Sequence, residues 1–165
     1  MTESHNRPMI GDAEHLAERS ARLGVLINLA APGLIVAVAV VLREGGFIPL
    51  PEGPPASVGV LSCVLGAVAL LELVAGFVVR RTLFAPGCIA PFCHDARQAE
   101  QWVVRSSMVV FALGASPIIY GVVVYFLGGD LRHLAFFGMV TLLAYRLLRP
   151  TVNLIDETLN SAENL

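Results

Sequence analysis

Hydrophobic residues in this chain are gathered into four long runs that are separated by short polar segments. The runs cover residues 23–42, 58–79, 106–128 and 134–148, and residues 131–133 extend the fourth to a span of 131–148. About 20 consecutive apolar residues in an α-helix cross a hydrocarbon core of about 30 Å, so each run predicts a transmembrane helix. The fourth run contains Arg146, and it reaches full length only if the side chain of Arg132 extends outward to the interface.

The lengths of the runs and of their connections indicate the fold class. A transmembrane β-barrel is excluded, because its strands alternate in polarity over about ten residues. Only residues 129–133 join the third and fourth runs, which predicts an antiparallel helical hairpin. We expect a second hairpin from the first two runs, joined by the Pro- and Gly-rich residues 43–57. The predicted fold is all-α: an integral membrane four-helix bundle built from two antiparallel hairpins.

The composition supports the membrane assignment and excludes several other classes of protein. Hydrophobic residues make up 56% of the 165 residues and charged residues 15%, whereas soluble domains have about 45–50% and about 25%. Such a composition excludes a disordered chain and a coiled coil. The formal net charge of −2 gives no electrostatic attraction to nucleic acid. We therefore expect the lipid bilayer as the environment, with no nucleic-acid partner and no cofactor.

The distribution of arginine predicts the orientation. If the N-terminus is inside, the inner side carries nine arginines, and the outer side carries Arg43 and Arg132. By the positive-inside rule, both termini are predicted to lie in the cytoplasm, with the protein in the cell inner (plasma) membrane. Residues 1–22 are then a cytoplasmic, partly helical segment and residues 149–165 a cytoplasmic tail. No cleavable signal peptide is expected, because the polar region extends to Arg22.

The two terminal segments carry weak helical patterns. Residues 12–22 are acidic early and basic late, which suits a helix that extends the first span. In the tail, Val152, Ile155 and Leu159 are spaced for one face of an amphipathic turn. The alternative hypothesis is that both segments are frayed polar ends.

Glu72 is a charged residue within the second run. It lies seven residues before Val79, which places it about 10 Å inside the cytoplasmic boundary at about 1.5 Å per residue. An ionised carboxylate at that depth costs several kcal/mol unless it is paired, protonated or hydrated. Three hypotheses follow. Glu72 forms an ion pair or hydrogen bond that sets helix packing, with Arg105 or Arg146 as the candidate cation. Alternatively, it is a proton- or cation-exchanging site, or its carboxyl is protonated against a backbone carbonyl. Asn28 is the single strongly polar side chain of the first run.

Small residues predict close helix packing. Ser107, Gly114, Gly121 and Gly128 recur every seven residues in the third run, so they share one face. Small residues let helix backbones approach closely in lipid. This row is either a self-association face or a packing face within the bundle, and Ala69 and Gly76 of the second run are candidates for the opposing surface.

Prolines interrupt two of the runs. Pro32 and Pro117 each remove a helical hydrogen bond, which predicts a kink in the first and third spans. Broken helices of this kind surround the substrate sites of some transporters. A simple kink is the alternative hypothesis.

The loop after the second run holds a weak metal-binding pattern. Cys88, Cys93 and His94 are close in sequence, and Asp95 or His15 is the candidate fourth ligand. Zinc sites usually take four such ligands, with paired cysteines two to four residues apart. The alternative is a loop whose thiols bind nothing.

One stretch resembles a known family. Ala96-Arg97-Gln98-Ala99-Glu100, then Arg105, then Ile119-Tyr120-Gly121-Val122-Val123, is similar to the loop and following helix of the proteolipid (c) subunit of rotary ATP synthases. The resemblance covers residues 96–124 and implies a closely packed hairpin with a ring-like assembly. Ala115 stands where that family carries its ion-binding carboxylate, so the resemblance does not imply rotary proton transport.

The sequence predicts a function only in outline. It contains no phosphate loop, Gly-x-Ser-x-Gly elbow, His-Glu-x-x-His motif or dinucleotide fingerprint, so we assign no enzymatic activity. We expect a non-catalytic membrane subunit or assembly factor that packs as a homo-oligomer or in a larger membrane complex. The alternative is a proteolipid-like or transporter-like protein that moves protons or cations through Glu72.

Overall fold

The computed structural model describes residues 10–48, 57–89, 91 and 96–163, and its secondary-structure elements are all helical. In chain order they are α1 (Ile10–Val25), a π-helical turn (Leu26–Ala30), α2 (Ala31–Glu44), α3 (Ser57–Leu83), α4 (Pro86–Ile89), α5 (Ala96–Phe126), α6 (Leu131–Leu148) and α7 (Val152–Glu163).

Four of the helical segments are long and apolar enough to cross a membrane. They cover Glu14–Glu44, Ser57–Leu83, Arg97–Phe126 and Leu131–Leu148. Large apolar side chains are exposed along all four, for example Leu34, Leu71, Val109 and Met139. An exposed apolar surface of this extent is typical of a protein that contacts lipid. The prediction of an all-helical chain with four membrane-length helices is confirmed.

The first long helix changes its hydrogen bonding just before Pro32. Over the π-helical turn, the N–H of Ala31 donates to the carbonyl of Leu26, which is a five-residue step. A proline ring presses on the preceding helical turn and lacks an N–H. The wider π turn accommodates that ring, so α1 and α2 continue as one helix.

Helix α5 is the central element, and α6 packs antiparallel to it. At one end Gly121 lies against Phe137, and further along Gly114 lies against Ala144. The two helices are joined by a tight turn in which Gly128 has a φ of 101°. This backbone conformation is open to glycine and strained for other residues. Gly128 therefore lies in the turn, after α5 ends at Phe126, and the expectation that it belongs to a helix-packing face is wrong.

The first two spans do not form the expected hairpin with one another. Helices α1 and α2 pack mainly on one face of α5, where Ser20 contacts Ser107. Helix α3 packs on a different face of α5, where Glu72 contacts Ser116, and also on α6. The chain is therefore built around the α5–α6 hairpin, with the other two spans added to it separately.

At the end of the bundle that holds both described terminal segments, the helices form a small core that we call the terminal cluster. Its buried members come from α1, α4, α5 and α7 and from the segment after α3: Leu16, Ala17, Phe84, Ile89, Ala99, Val103 and Ile155. The hydroxyl of Thr158 donates to the carbonyl of Phe84 (3.0 Å) and ties α7 to this core.

The tail helix differs in part from its predicted amphipathic face. Ile155 is fully buried, as expected of a core-facing residue, but Val152 is 37% exposed. The side chain of Leu159 lies outside the described part of the structure. Helix α5 also begins at Ala96, ten residues before the predicted span, so the end of the predicted loop is helical.

Candidate functional site

Glu72 lies between two hydroxyl groups of α5. The hydroxyl of Tyr120 lies 2.5 Å from Oε1 of Glu72, and Oγ of Ser116 lies 2.5 Å from Oε2. All three side chains are partly buried. We call Glu72, Ser116 and Tyr120 the carboxyl–hydroxyl cluster. It joins α3 to α5 within the apolar stretch of both helices.

The spacing along α5 explains why the two hydroxyls converge on one carboxyl. Ser116 and Tyr120 are four residues apart, so they lie on the same helix face one turn from each other. Pro117 falls between them and is buried in the bundle. Two hydroxyl residues at this spacing in an apolar run are the sequence signal for the site, and they are not among the residues predicted above.

The expected ion pair is not formed. Arg105 and Arg146 are both exposed, and neither lies within ion-pair distance of Glu72. The ion pairs among the described residues lie on α1 and at the start of α5: Arg19 with Glu100, and Arg22 with Glu18. Of the two forms of the packing hypothesis, the structure has the hydrogen bond and not the salt bridge.

Asn28 is buried in the π-helical turn against α5. Its Nδ2 donates to the carbonyl of Gly24 (3.3 Å), whereas its Oδ1 has no hydrogen-bond partner. A Cβ added at Gly114 would lie 3.2 Å from that Oδ1. The glycine therefore makes room for a polar side chain that the neighbouring helix brings close.

The predicted row of small residues on the third span is covered inside the bundle. Ser107 accepts or donates a hydrogen bond with Ser20 (3.1 Å), Gly114 contacts Asn28, and Gly121 contacts Phe137. The partners are thus the first and fourth spans. Ser107, Gly114 and Gly121 therefore pack within the bundle, as the second of the two hypotheses expects.

The expected opposing surface on the second span packs on both the third and the fourth spans. Ala69 is fully buried in a cluster with Val124 of α5 and Phe137 of α6. A Cβ at Gly76 would lie 3.1 Å from Cδ1 of Leu148 on α6 and 3.9 Å from Cβ of Leu113 on α5. Both residues therefore contact the α5–α6 hairpin, and Leu148 also contacts Gly114 of the row.

Two arginines bind helix C-termini, a role that is not among the predictions from the sequence. Nη1 of Arg43 donates to the carbonyls of Tyr125 (2.5 Å) and Gly129 (2.6 Å), and its guanidinium lies 4.0 Å from the Tyr125 ring centre. Nη1 of Arg80 donates to the carbonyl of Leu147 (2.7 Å), at the end of α6. A cation at a helix C-terminus interacts favourably with the unpaired carbonyls there.

The suggested metal site lies largely outside the described residues. Cys88 belongs to α4 and is a partly buried free thiol. Cys93, His94 and Asp95 lie outside the part of the chain that the structure describes. Within the described residues, no group of three or more His, Cys, Asp or Glu side chains is placed to hold a metal ion.

Comparison of the chain with protein families, with curated proteins and with solved structures finds no match. The resemblance of residues 96–124 to the rotary ATP synthase proteolipid therefore stays a prediction from sequence.

Proposed function

We propose that this protein is a multi-pass inner-membrane protein that works as a non-catalytic membrane subunit or assembly factor. Both termini are assigned to the cytoplasm. The asymmetry of nine arginines against two supports that orientation. The terminal cluster supports it as well, because it gathers α1 and α7 at the same end of the bundle.

The observation that carries the proposal is a second row of small residues, on a side of α3 that no described helix covers. Gly59, Cys63 and Ala67 are spaced four apart and are all exposed. A Cβ at Gly59 would meet no atom within 4 Å. Small residues at this spacing allow the helices of two chains to approach closely in lipid. We call these three residues the α3 small-residue row and assign it to contact with a second copy or another membrane subunit.

Cross-linking through Cys63 tests this assignment. The full chain carrying Cys88→Ser and Cys93→Ser retains Cys63 as its one thiol. We expect oxidation in native membranes to give a covalent product of twice the monomer mass, or of the mass of the monomer plus a partner. Ala67→Leu should suppress the product. Ala37→Leu, the same change at an exposed position of α2, should leave it intact.

The assignment fails if the single-thiol protein stays monomeric after oxidation in membranes. It also fails if Ala67→Leu and Ala37→Leu change the yield equally, because the contact would then not involve the row. Identification of the proteins that co-purify with the chain from mild detergent would name the partner.

A second candidate function is the movement of protons or cations through Glu72. The carboxyl–hydroxyl cluster favours transport, because the ionisable Glu72 lies within the apolar part of the bundle between two hydroxyl groups that form hydrogen bonds with it. Ion flux in reconstituted vesicles tests it: Glu72→Gln should abolish the flux. Unchanged flux in that variant excludes transport through this residue.

A further inference from the structure

The carbonyl of Leu113 has lost its ordinary helical partner. In an α-helix it would accept from the N–H of residue 117, but that residue is proline and has no N–H. The hydroxyl of Ser116 lies 2.7 Å from this carbonyl oxygen and donates to it. Leu113 and Ser116 are partly buried, and a carbonyl without a donor is costly in an apolar environment, so the bond from Ser116 replaces the one that Pro117 removes.

The same hydroxyl oxygen also lies 2.5 Å from Oε2 of Glu72. A serine hydroxyl has one hydrogen to donate and two lone pairs that accept. When its hydrogen points to Leu113, the contact with Glu72 lacks a hydrogen unless the carboxyl supplies it. A protonated carboxyl does so, since its O–H donates to Ser116 while its other oxygen accepts from Tyr120.

We infer that Glu72 is a proton-binding site, and that its proton forms the first link of a chain that runs through Ser116 to the Leu113 carbonyl freed by Pro117. With the proton bound, three hydroxyl hydrogens meet three acceptors. They run from Tyr120 to Glu72 Oε1, from Glu72 Oε2 to Ser116 Oγ, and from Ser116 to Leu113 O.

Loss of that proton changes the helix as well as the charge. Hydroxide takes the hydrogen of Oε2 and forms water, leaving a carboxylate with two acceptor oxygens. The Ser116 hydroxyl then turns its hydrogen from Leu113 to Glu72, and the Leu113 carbonyl is left without a donor. The protonation state of Glu72 on α3 is thereby coupled to the hydrogen bonding of the Leu113 carbonyl on α5, one turn before Pro117.

The ionisable groups around the site are consistent with a neutral carboxyl. Tyr120 is the ionisable side chain of α5 that contacts Glu72. Neither α5 nor α6 brings an arginine to it, because Arg105 and Arg146 are exposed and form no ion pair with it. Among the described residues no cation lies beside Glu72 to compensate an ionised carboxylate, which is costly in a membrane interior.

Infrared spectroscopy of the full chain in lipid bilayers tests the inference. A protonated carboxylic acid has a carbonyl stretching band separate from the bands of a carboxylate. We expect this band at neutral pH in the wild-type protein and its loss in Glu72→Gln. In Ser116→Ala the carboxyl keeps its proton but loses its acceptor, so the band should shift to higher frequency. Ser106→Ala, a buried serine ten residues earlier on α5, is the matched control and should leave the band in place.

The spectra decide the matter in either direction. If the wild-type spectrum has no acid band, or has one that Glu72→Gln leaves unchanged, the Glu72 carboxyl is ionised and the inference is wrong. A band that does not move in Ser116→Ala excludes the chain to Leu113, and this comparison holds even if Glu72→Gln fails to fold. The result is independent of ion flux, so the proton site stands or falls separately from transport and from assembly through the α3 small-residue row.

Discussion

The phenolic hydroxyl of Tyr120 donates to Oε1 of Glu72 across 2.5 Å, and this bond joins α5 to α3 between residues 48 positions apart. It links the side of α5 that faces α3 to a carboxyl group that forms no ion pair with a described residue. The contact therefore holds α3 against α5, independently of what the protein transports or binds.

We expect the stability effects of Glu72→Ala and Tyr120→Phe to be non-additive. Each change removes one end of the same hydrogen bond, so the double variant should lose about 1 kcal/mol less than the sum of the single losses. Glu72→Ala combined with Arg146→Ala should be additive, because these side chains do not contact each other. Thermal unfolding in lipid–detergent micelles measures both cycles. Coupling to Arg146 in place of Tyr120 would contradict the structure.

Gly121→Ala should destabilise the bundle by about 1–3 kcal/mol through overpacking. The added Cβ would lie 2.8 Å from Cβ of Phe137, an atom fixed by the α6 backbone, so the two helices must separate. Gly33→Ala, at an exposed position of α2, is the matched control, because its Cβ meets no described atom within 4 Å and alanine is the better helix former. We expect that control to be neutral or slightly stabilising by thermal unfolding. Equal losses in the two variants would show that α5 and α6 are not in contact at Gly121.

Arg43→Lys should lower the unfolding free energy by about 2 kcal/mol although it keeps the positive charge. The guanidinium of Arg43 reaches two carbonyls while lying over the Tyr125 ring, and a lysine ammonium lacks the planar shape for both contacts. Arg132→Lys, an exposed position beside the same turn, is the control and should have little effect. Chemical denaturation with both variants provides the comparison. Tolerance of lysine at position 43 would mean that charge alone accounts for its role.

Ile155→Ala should destabilise the terminal cluster by about 2–5 kcal/mol, the usual cost of truncating a fully buried aliphatic side chain. Val152→Ala, on the same helix but 37% exposed, should cost much less. Limited proteolysis of the full chain reports on this end of the bundle, and we expect faster cleavage after Pro150 in the first variant only. If both variants are cleaved at the wild-type rate, α7 does not dock on the cluster.

The identification of Glu72 as an unusual residue needed only the sequence, whereas its partners needed the structure. A carboxyl inside an apolar run is recognisable from hydropathy alone. Which groups it meets depends on how α3 is rotated about its axis and shifted along α5, and no local pattern records that. Charge alone favours Arg105 and Arg146 as partners. In the structure the hydroxyls of Ser116 and Tyr120 occupy the facing turn of α5.

The row of small residues on the third span shows a similar division. Seven-residue spacing is enough to place Ser107, Gly114 and Gly121 on one face, since it follows from helix geometry. The same spacing could not identify the covering helices, which are the first and fourth spans. It also could not find the helix end, so Gly128 was assigned to the wrong environment.

What the sequence alone determined is the number, length and helical nature of the long apolar segments. These depend on local hydropathy measured against the thickness of a bilayer, and each segment satisfies its own backbone hydrogen bonds. Only the tertiary structure decided which helices touch and which polar groups meet, as with Glu72 and Tyr120 or Arg43 and Tyr125. Helices with apolar surfaces all round can pack in many rotations, and close side-chain contacts select among them.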